Sequence, residues 1–205
     1  MISLHWKPLF EELFYKLFFG RNNWKYLSIG ILLSFIPVLN IFAFGYLYRH
    51  TFRFIHLGES ELGEWNDWQN LFYDGLRFAF VWLLYWLIPL VAMVGVGYFA
   101  QGNGLDAFIQ IGLTIGVLYF SIVFCVALNR VQALQNFKIL SKFRLLIKLS
   151  NKLVLPMLIP LLVFYGFHMI VKPLYGVSFF LGFLVLLSYN AISMQTMAIR
   201  DKRAL

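Results

Sequence analysis

Residues 26–48, with the sequence YLSIGILLSFIPVLNIFAFGYLY, form an apolar run that contains no charged side chain. The run is long enough to cross a bilayer as one helix, which takes roughly 20 residues. Pro37 and Asn40 interrupt it near the middle, and proline removes a backbone donor and breaks or kinks a helix. The run is therefore either one kinked span or a re-entrant hairpin, in which two shorter helices enter and leave the membrane on the same side.

The composition around this run is that of an integral membrane protein. Hydrophobic residues make up 61% of the 205 residues, charged residues make up 13%, and the mean hydropathy is +0.76. A soluble fold could not cover so much apolar surface. Four further apolar runs predict transmembrane helices over residues 78–100, 107–128, 153–171 and 174–195. The loops between them are short, so we expect one all-α membrane domain over residues 1–205.

The distribution of basic residues favours the hairpin. Four basic residues precede residue 26, and six more lie between residues 130 and 152. If all five apolar runs crossed the membrane, these two groups would lie on opposite sides, against the positive-inside rule. A re-entrant hairpin followed by four spans places both groups, and both termini, in the cytoplasm. Five spans with a proline-kinked first helix remain the alternative.

Three further segments are predicted to lie along the membrane surface. Residues 7–20 and 129–152 have apolar and charged residues at helical spacing, which is typical of interfacial amphipathic helices. Residues 49–77 form a charged connector that carries two tryptophans, and indole rings prefer the headgroup layer. The predicted contact residues for lipid or a protein partner are Arg49, Arg53, Trp65, Trp68, Lys138, Lys142 and Lys148.

The net charge of +8 also bears on the partners. The basic residues flank apolar runs, so we expect anionic lipid headgroups and other membrane protein subunits as partners, and no nucleic acid. Cys125 is the single cysteine and lies inside a predicted span, which excludes an intrachain disulfide.

A motif follows the broken apolar run. It consists of Pro37-Val38-Leu39-Asn40, Gly45-Tyr46, Arg49, Leu62-Gly63-Glu64-Trp65-Asn66-Asp67 and Asp74-Gly75. This pattern resembles the prokaryotic membrane-protein family labelled domain of unknown function 4013, over residues 22–90. Gly63 stands where that family has proline. The resemblance implies a multi-pass protein of a prokaryotic inner membrane and names neither an activity nor a substrate.

Few residues suggest chemistry. Asp67 and Asp74 are seven apart and would share a face of one helix, as paired acids for acid-base or metal work do. No histidine or cysteine lies at ligand spacing around them, so ion pairing is the favoured interpretation, and neither a metal nor a cofactor is predicted. His168 and Asn190 lie inside predicted spans, where neutral polar groups commonly bond between helices.

These observations lead to one expected function and two alternatives. The expected function is a non-enzymatic accessory or scaffold subunit of a larger inner-membrane complex, which acts through helix packing and anionic-lipid contact. One alternative is a small transporter or channel-like bundle that uses the hairpin at Pro37 to Asn40, since interrupted helices often line cavities. The other is a lipid-headgroup enzyme with a site built from Arg49, Arg53, Asp67 and Asp74.

Overall fold

A computed structural model describes residues 10–20, 23–59, 61–100 and 106–203, and every regular element in this part of the chain is helical. The α-helices are α1 (Phe10–Phe19), α2 (Asn23–Ser34), α3 (Asn40–Leu57), α4 (Trp68–Trp82), α5 (Ile88–Ala100), α6 (Asp106–Leu134), α7 (Phe143–Ile170) and α8 (Tyr175–Arg203). A π-helical turn, Leu83–Leu87, joins α4 to α5 without a break. Short 3₁₀ turns, Phe137–Ser141 and Lys172–Leu174, precede α7 and α8.

Four helical segments among the described residues are long and apolar enough to cross a membrane. They are Trp68–Tyr98, Ala107–Leu134, Phe143–Ile170 and Lys172–Ala198. This confirms the predicted all-α membrane fold. The helices extend beyond the charge-free runs, since a helix can continue past the hydrocarbon layer with charged residues at its end.

The broken apolar run folds as two helices. α2 ends at Ser34, α3 begins at Asn40, and a turn over residues 35–39 separates them, with Pro37 exposed. The turn lies against the first residue of α8, where the Tyr175 hydroxyl donates a hydrogen bond to the Phe35 carbonyl. α2 packs on both α3 and α8.

The connector differs from its predicted bounds of 49–77. Residues 49–57 continue α3, and residues 68–77 already belong to α4, so only residues 58–67 connect the two helices. Gly58 ends α3 in the left-handed conformation, with φ of 71° and its N–H bonded to the Phe54 carbonyl. The connector then folds back along α3 and buries Leu62.

The predicted amphipathic helix over residues 129–152 is wrong as a single element. α6 continues to Leu134, and Gln135, at a φ of 50°, ends it. The Asn136 side chain accepts a hydrogen bond from the Lys138 N–H and so starts the 3₁₀ turn. α7 begins at Phe143, and its interior includes both prolines of the predicted span. Helical periodicity continued across the turn, and so it concealed the break.

The N-terminal helix is described from Phe10 to Phe19, and the predicted start at residues 7–9 lies outside the described residues. Asn23 fixes its end, because its side-chain amide donates to the carbonyls of Lys16, at 2.5 Å, and Leu17, at 3.0 Å. Tyr15 and Phe19 are exposed and stack on each other. α1 is thereby attached to the start of α2.

Candidate functional site

The motif residues meet where α3 crosses α4, and two glycines set the distance between these helices. A Cβ atom on Gly45 would lie 1.9 Å from the Leu71 carbonyl oxygen, and a Cβ atom on Gly75 would lie 1.9 Å from the Ile41 carbonyl oxygen. Each glycine therefore faces the backbone of the other helix. Only a residue without a side chain allows this approach, which explains both glycines of the motif.

Tyr46 holds the connector against α3. Its hydroxyl donates a 2.8 Å hydrogen bond to the Gly63 carbonyl, and its ring stacks on Trp65 at a centroid distance of 4.2 Å. The Trp65 indole N–H in turn donates to the Tyr26 carbonyl of α2, at 3.0 Å. One tyrosine and one tryptophan thus join α2, α3 and the connector.

Arg49, Asp67 and Asp74 of the motif each have a polar or charged partner. The Nε atom of Arg49 lies 3.5 Å from Asp74, and an Nη atom of Arg49 donates to the Asn66 carbonyl. Asp74 also pairs with Arg77, at 2.9 Å. Asp67 lies at the start of α4 with a φ of 56° and accepts a hydrogen bond from the Asn70 amide. The two aspartates therefore have different partners.

Arg53 accounts for the glycine at position 63. A Cβ atom on Gly63 would lie 1.7 Å from the Arg53 guanidinium, so the arginine occupies the volume that a proline ring would need. The Nε atom of Arg53 is buried and has no hydrogen-bond partner within the described residues. In this chain, the Arg53 guanidinium lies where the family pattern described above would place a proline side chain.

His50 was not identified as a site residue from the sequence. It is nevertheless the most deeply buried ionisable residue of α3 and the connector. Its side chain is 1% exposed, and its Nε2 lies 3.4 Å from the Ser188 hydroxyl of α8. The other polar neighbour of His50 is the backbone of Glu61 in the connector. Burial of the ring, together with the Arg53 charge, lowers the pKa of His50 to about 4, so the ring is neutral near pH 7.

The remaining predicted residues lie elsewhere. Trp68 packs edge-on against Phe42, and Asn40 begins α3 with its side-chain oxygen buried and unpaired among the described residues. Lys138, Lys142 and Lys148 are exposed around the turn between α6 and α7. The three lysines thus lie on the α6–α7 turn and the start of α7, whereas the predicted Arg49, Arg53 and Trp65 lie on α3 and the connector.

Both polar residues predicted inside spans form bonds between helices. His168 of α7 contacts the Ser178 hydroxyl of α8 at 2.8 Å, and the Asn190 amide of α8 donates to the Cys125 carbonyl of α6. A further set was missed, in which Ser121 of α6 contacts Trp86, at 2.9 Å, and Tyr165, at 2.8 Å. An isolated serine in an apolar run gave no signal for it.

The motif therefore assembles α3, the connector and α4 into one packed unit, in which Arg49 and Asp74 form structural ion pairs. Within the described residues, no group of three or more His, Cys, Asp or Glu side chains is placed to bind a metal ion. We call residues 40–78, with these contacts, the motif core.

Comparison with known proteins agrees with the position of the motif core. A family model described as "Protein of unknown function (DUF4013)" matches residues 29–134, just over half of the chain. Searches of the curated proteins and of the solved structures found no match. The matched region runs from the second half of α2 to the end of α6, so the chain belongs to the DUF4013 family.

Proposed function

We propose that this protein is a non-enzymatic accessory subunit, which packs against a transmembrane helix of a larger membrane protein and contacts anionic lipid at its basic turn. The packing surface is the α5–α6 arm, defined as residues 88–100 and 106–117. The observation that carries the proposal is that two helix glycines of this arm, Gly95 and Gly112, have no described atom within 4 Å of an added Cβ atom.

The spans differ in burial, and α5 belongs to the least buried of them. In the most apolar 18-residue stretch of each span, 50% of the α6 residues and 56% of the α8 residues are buried, against 11% for α4–α5 and 17% for α7. α5 packs mainly on the first half of α6, which is itself exposed on its other sides. Large apolar side chains such as Val96, Phe108 and Ile115 are 61–72% exposed.

Open glycines occur on the arm and on α7, where Gly166 also has no described heavy atom within 4 Å of an added Cβ atom. The arm differs because its Gly112 lines a groove between two helices. No heavy atom of the described chain lies within 4 Å of a Cβ atom built on Gly95 or Gly112, whereas Gly116 meets the Met93 side chain. The four-residue spacing of Gly112 and Gly116 predicts close helix packing at both positions. Among the described residues, only Gly116 of this pair has such a contact. Glycine in a helix interior destabilises the helix by about 1 kcal/mol relative to alanine. Such residues are favourable where another helix approaches closely.

A groove between α5 and α6 has the shape for such an approach. Its volume is about 350 Å³, and small residues at positions 92, 97 and 112 lie along it. Asp106, the first residue of α6, is the one charged residue in the sequence of the arm. An apolar helix therefore suits the arm better than a polar segment.

The turn between α6 and α7 supports the lipid part of the proposal. Lys138, Lys142 and Lys148 are exposed there, beside the exposed aromatic rings of Phe137 and Phe143. Aromatic rings and ammonium groups together suit the boundary between acyl chains and anionic headgroups.

We further propose a prokaryotic inner-membrane location with both termini in the cytoplasm. α2 has 12 residues and a length of about 18 Å, which is shorter than the roughly 30 Å hydrocarbon layer. A cysteine at exposed Glu61, in a Cys125→Ser background, should resist an impermeant thiol reagent in intact cells and react after the membrane is opened. Labelling in intact cells would instead support five spans.

The experiment for the proposed function is extraction in a lipid-preserving polymer followed by native mass analysis. The wild-type protein should be recovered with a stoichiometric second membrane protein. Gly112→Leu, which fills the groove, should reduce that recovery at least tenfold. Ile111→Leu, a change of equal volume at an exposed neighbour, should leave it intact. Recovery as a monomer, as a homo-oligomer, or with equal partner yield from Gly112→Leu would contradict the proposal.

A further inference from the structure

A cavity with aromatic walls lies inside the bundle beside the motif core, whose Phe44 packs against Trp82 and Phe179 of the cavity wall. Its volume is about 130 Å³, and five rings form most of its wall: Trp82, Trp86, Phe164, Phe179 and Phe183. An apolar protein cavity of roughly 150 Å³ can hold benzene. The space is therefore adequate for one ring or a short branched segment of a ligand.

The helix geometry around the cavity is specialised. The π-helical turn Leu83–Leu87 includes a hydrogen bond from the Ile88 N–H to the Leu83 carbonyl, five residues back. At this segment, the rings of Trp82 and Trp86 stack on each other with their centroids 5.3 Å apart. On α8, a Cβ atom on Gly182 would lie 2.3 Å from the Phe164 ring, so Gly182 gives that ring its place in the wall.

The hydrogen bonds at Ser121 determine which polar group Tyr165 offers to the cavity. Ser121 has one hydroxyl proton and donates it to the Val117 carbonyl at 2.7 Å. Its oxygen accepts from the Trp86 indole N–H. The 2.8 Å contact between Ser121 and Tyr165 must then use the Tyr165 proton. The Trp86 indole N–H also lies within hydrogen-bond reach of the Tyr165 oxygen. Tyr165 lines the cavity, and its oxygen has a second lone pair that can accept from a ligand.

The same reasoning assigns the tautomer of His168. Ser178 donates its proton to the Tyr175 carbonyl at 3.0 Å, so it accepts from Nδ1–H of His168 at 2.8 Å. A neutral imidazole with its proton on Nδ1 has an acceptor lone pair on Nε2. His168 also lines the cavity, and Nε2 has no hydrogen-bond partner among the described residues.

We infer that this cavity binds the hydroxyl-bearing ring of a neutral, membrane-dissolved phenol or quinol. The aromatic wall accepts the ring, and the Tyr165 oxygen and His168 Nε2 accept hydrogen bonds from ligand hydroxyls. No described residue of the lining has a formal charge, so an ionised headgroup has no counter-ion there. A ligand that only accepts hydrogen bonds, such as a quinone or an ether, leaves both protein acceptors without a donor.

The test compares two ligands of nearly equal shape on the purified full chain in lipid nanodiscs. A 4-alkylphenol with a diazirine on its chain is photolysed, and the labelled peptides are mapped by mass spectrometry. Labelling should saturate on peptides that contain Trp86 or Phe164. Unlabelled 4-pentylphenol should compete roughly threefold to tenfold better than 4-pentylanisole, its methyl ether, the range that one neutral hydrogen bond provides. Equal competition, or labelling that never saturates, would overturn the inference.

A variant tests the tautomer separately. Ser178→Ala removes the acceptor that holds the His168 proton on Nδ1, so the ring can present either nitrogen as a donor. The preference for the phenol over its ether should then decrease, with the remainder due to the Tyr165 oxygen, while thermal unfolding shows that the variant is folded. An unchanged preference in the folded variant would show that His168 does not accept a hydrogen bond from the ligand hydroxyl. The wild-type comparison of the two ligands does not depend on this variant.

Discussion

Two sets of glycines have opposite surroundings in this protein. In the motif core, Gly45 and Gly75 face backbone carbonyls at distances that exclude a side chain. In the α5–α6 arm, Gly95 and Gly112 face open space within the described structure. The first set is used by the fold of the chain itself. The second set has no packing contact among the described residues, and its Gly112 lines a groove between two helices, so we assign this set to a partner.

The difference also separates stability from function. Residues whose contacts are complete within the chain, such as Tyr46 and Asp74, should affect folding when changed. Changes in the arm should affect association without destabilising the fold. The predictions below are arranged by the size of the expected effect.

The largest effect is expected for Gly45→Ala. The new methyl group would lie 1.9 Å from the Leu71 carbonyl oxygen, so α3 and α4 must separate or the fold is lost. We expect a decrease of about 3 kcal/mol or more in the free energy of unfolding, measured by denaturation in a mild detergent. Gly166→Ala is the matched control, since no described atom lies within 4 Å of its added Cβ atom. Equal stability of the two variants would contradict the close approach of α3 and α4.

Acidification should weaken the motif core through His50. Its pKa is about 4 when folded, below the usual value of 6.5, so the unfolded chain binds the proton first. The stabilisation is complete above pH 6.5 and is lost as the pH falls toward 4. Its size is about 3 kcal/mol, from about 1.4 kcal/mol per pKa unit. His50→Gln, a neutral replacement, should remove this part of the pH dependence. If the wild type and the variant showed the same pH dependence, the assignment to His50 would be refuted.

A smaller effect is expected for Tyr46→Phe. The change keeps the ring that stacks on Trp65 and removes only the hydrogen bond to the Gly63 carbonyl. Loss of one such bond should decrease the free energy of unfolding by about 1 kcal/mol. Tyr15→Phe, at a 66% exposed position, is the control and should leave stability within error. A stable Tyr46→Phe variant would mean that the connector is held by the rings alone.

The smallest effect has the opposite sign. Gly112→Ala should raise the free energy of unfolding of the isolated chain by about 0.5–1 kcal/mol, because alanine is the better helix former and no described atom opposes its methyl group. The same change should weaken partner recovery. Destabilisation of the isolated chain would show that the arm is already packed.

Sequence patterns predicted the parts of the fold that depend on the membrane as a solvent. Charge-free runs identified four spans, and Pro37 marked the break between α2 and α3. They did not show the extent of the helices, since the periodicity of residues 129–152 crosses the turn at Gln135. Nor did they show which carbonyl each glycine faces, the burial of His50 or the bonds of Ser121. Those features depend on helix crossings between residues far apart in the chain.

The central claim is that the α5–α6 arm contacts a protein while the other exposed faces contact lipid. A photoreactive benzophenone amino acid at Ile115, 61% exposed on the arm, and at Leu155, 81% exposed on α7, tests this in native membranes. We expect a discrete crosslink to another membrane protein from position 115 and only lipid adducts from position 155. Lipid adducts alone from both positions would contradict the claim.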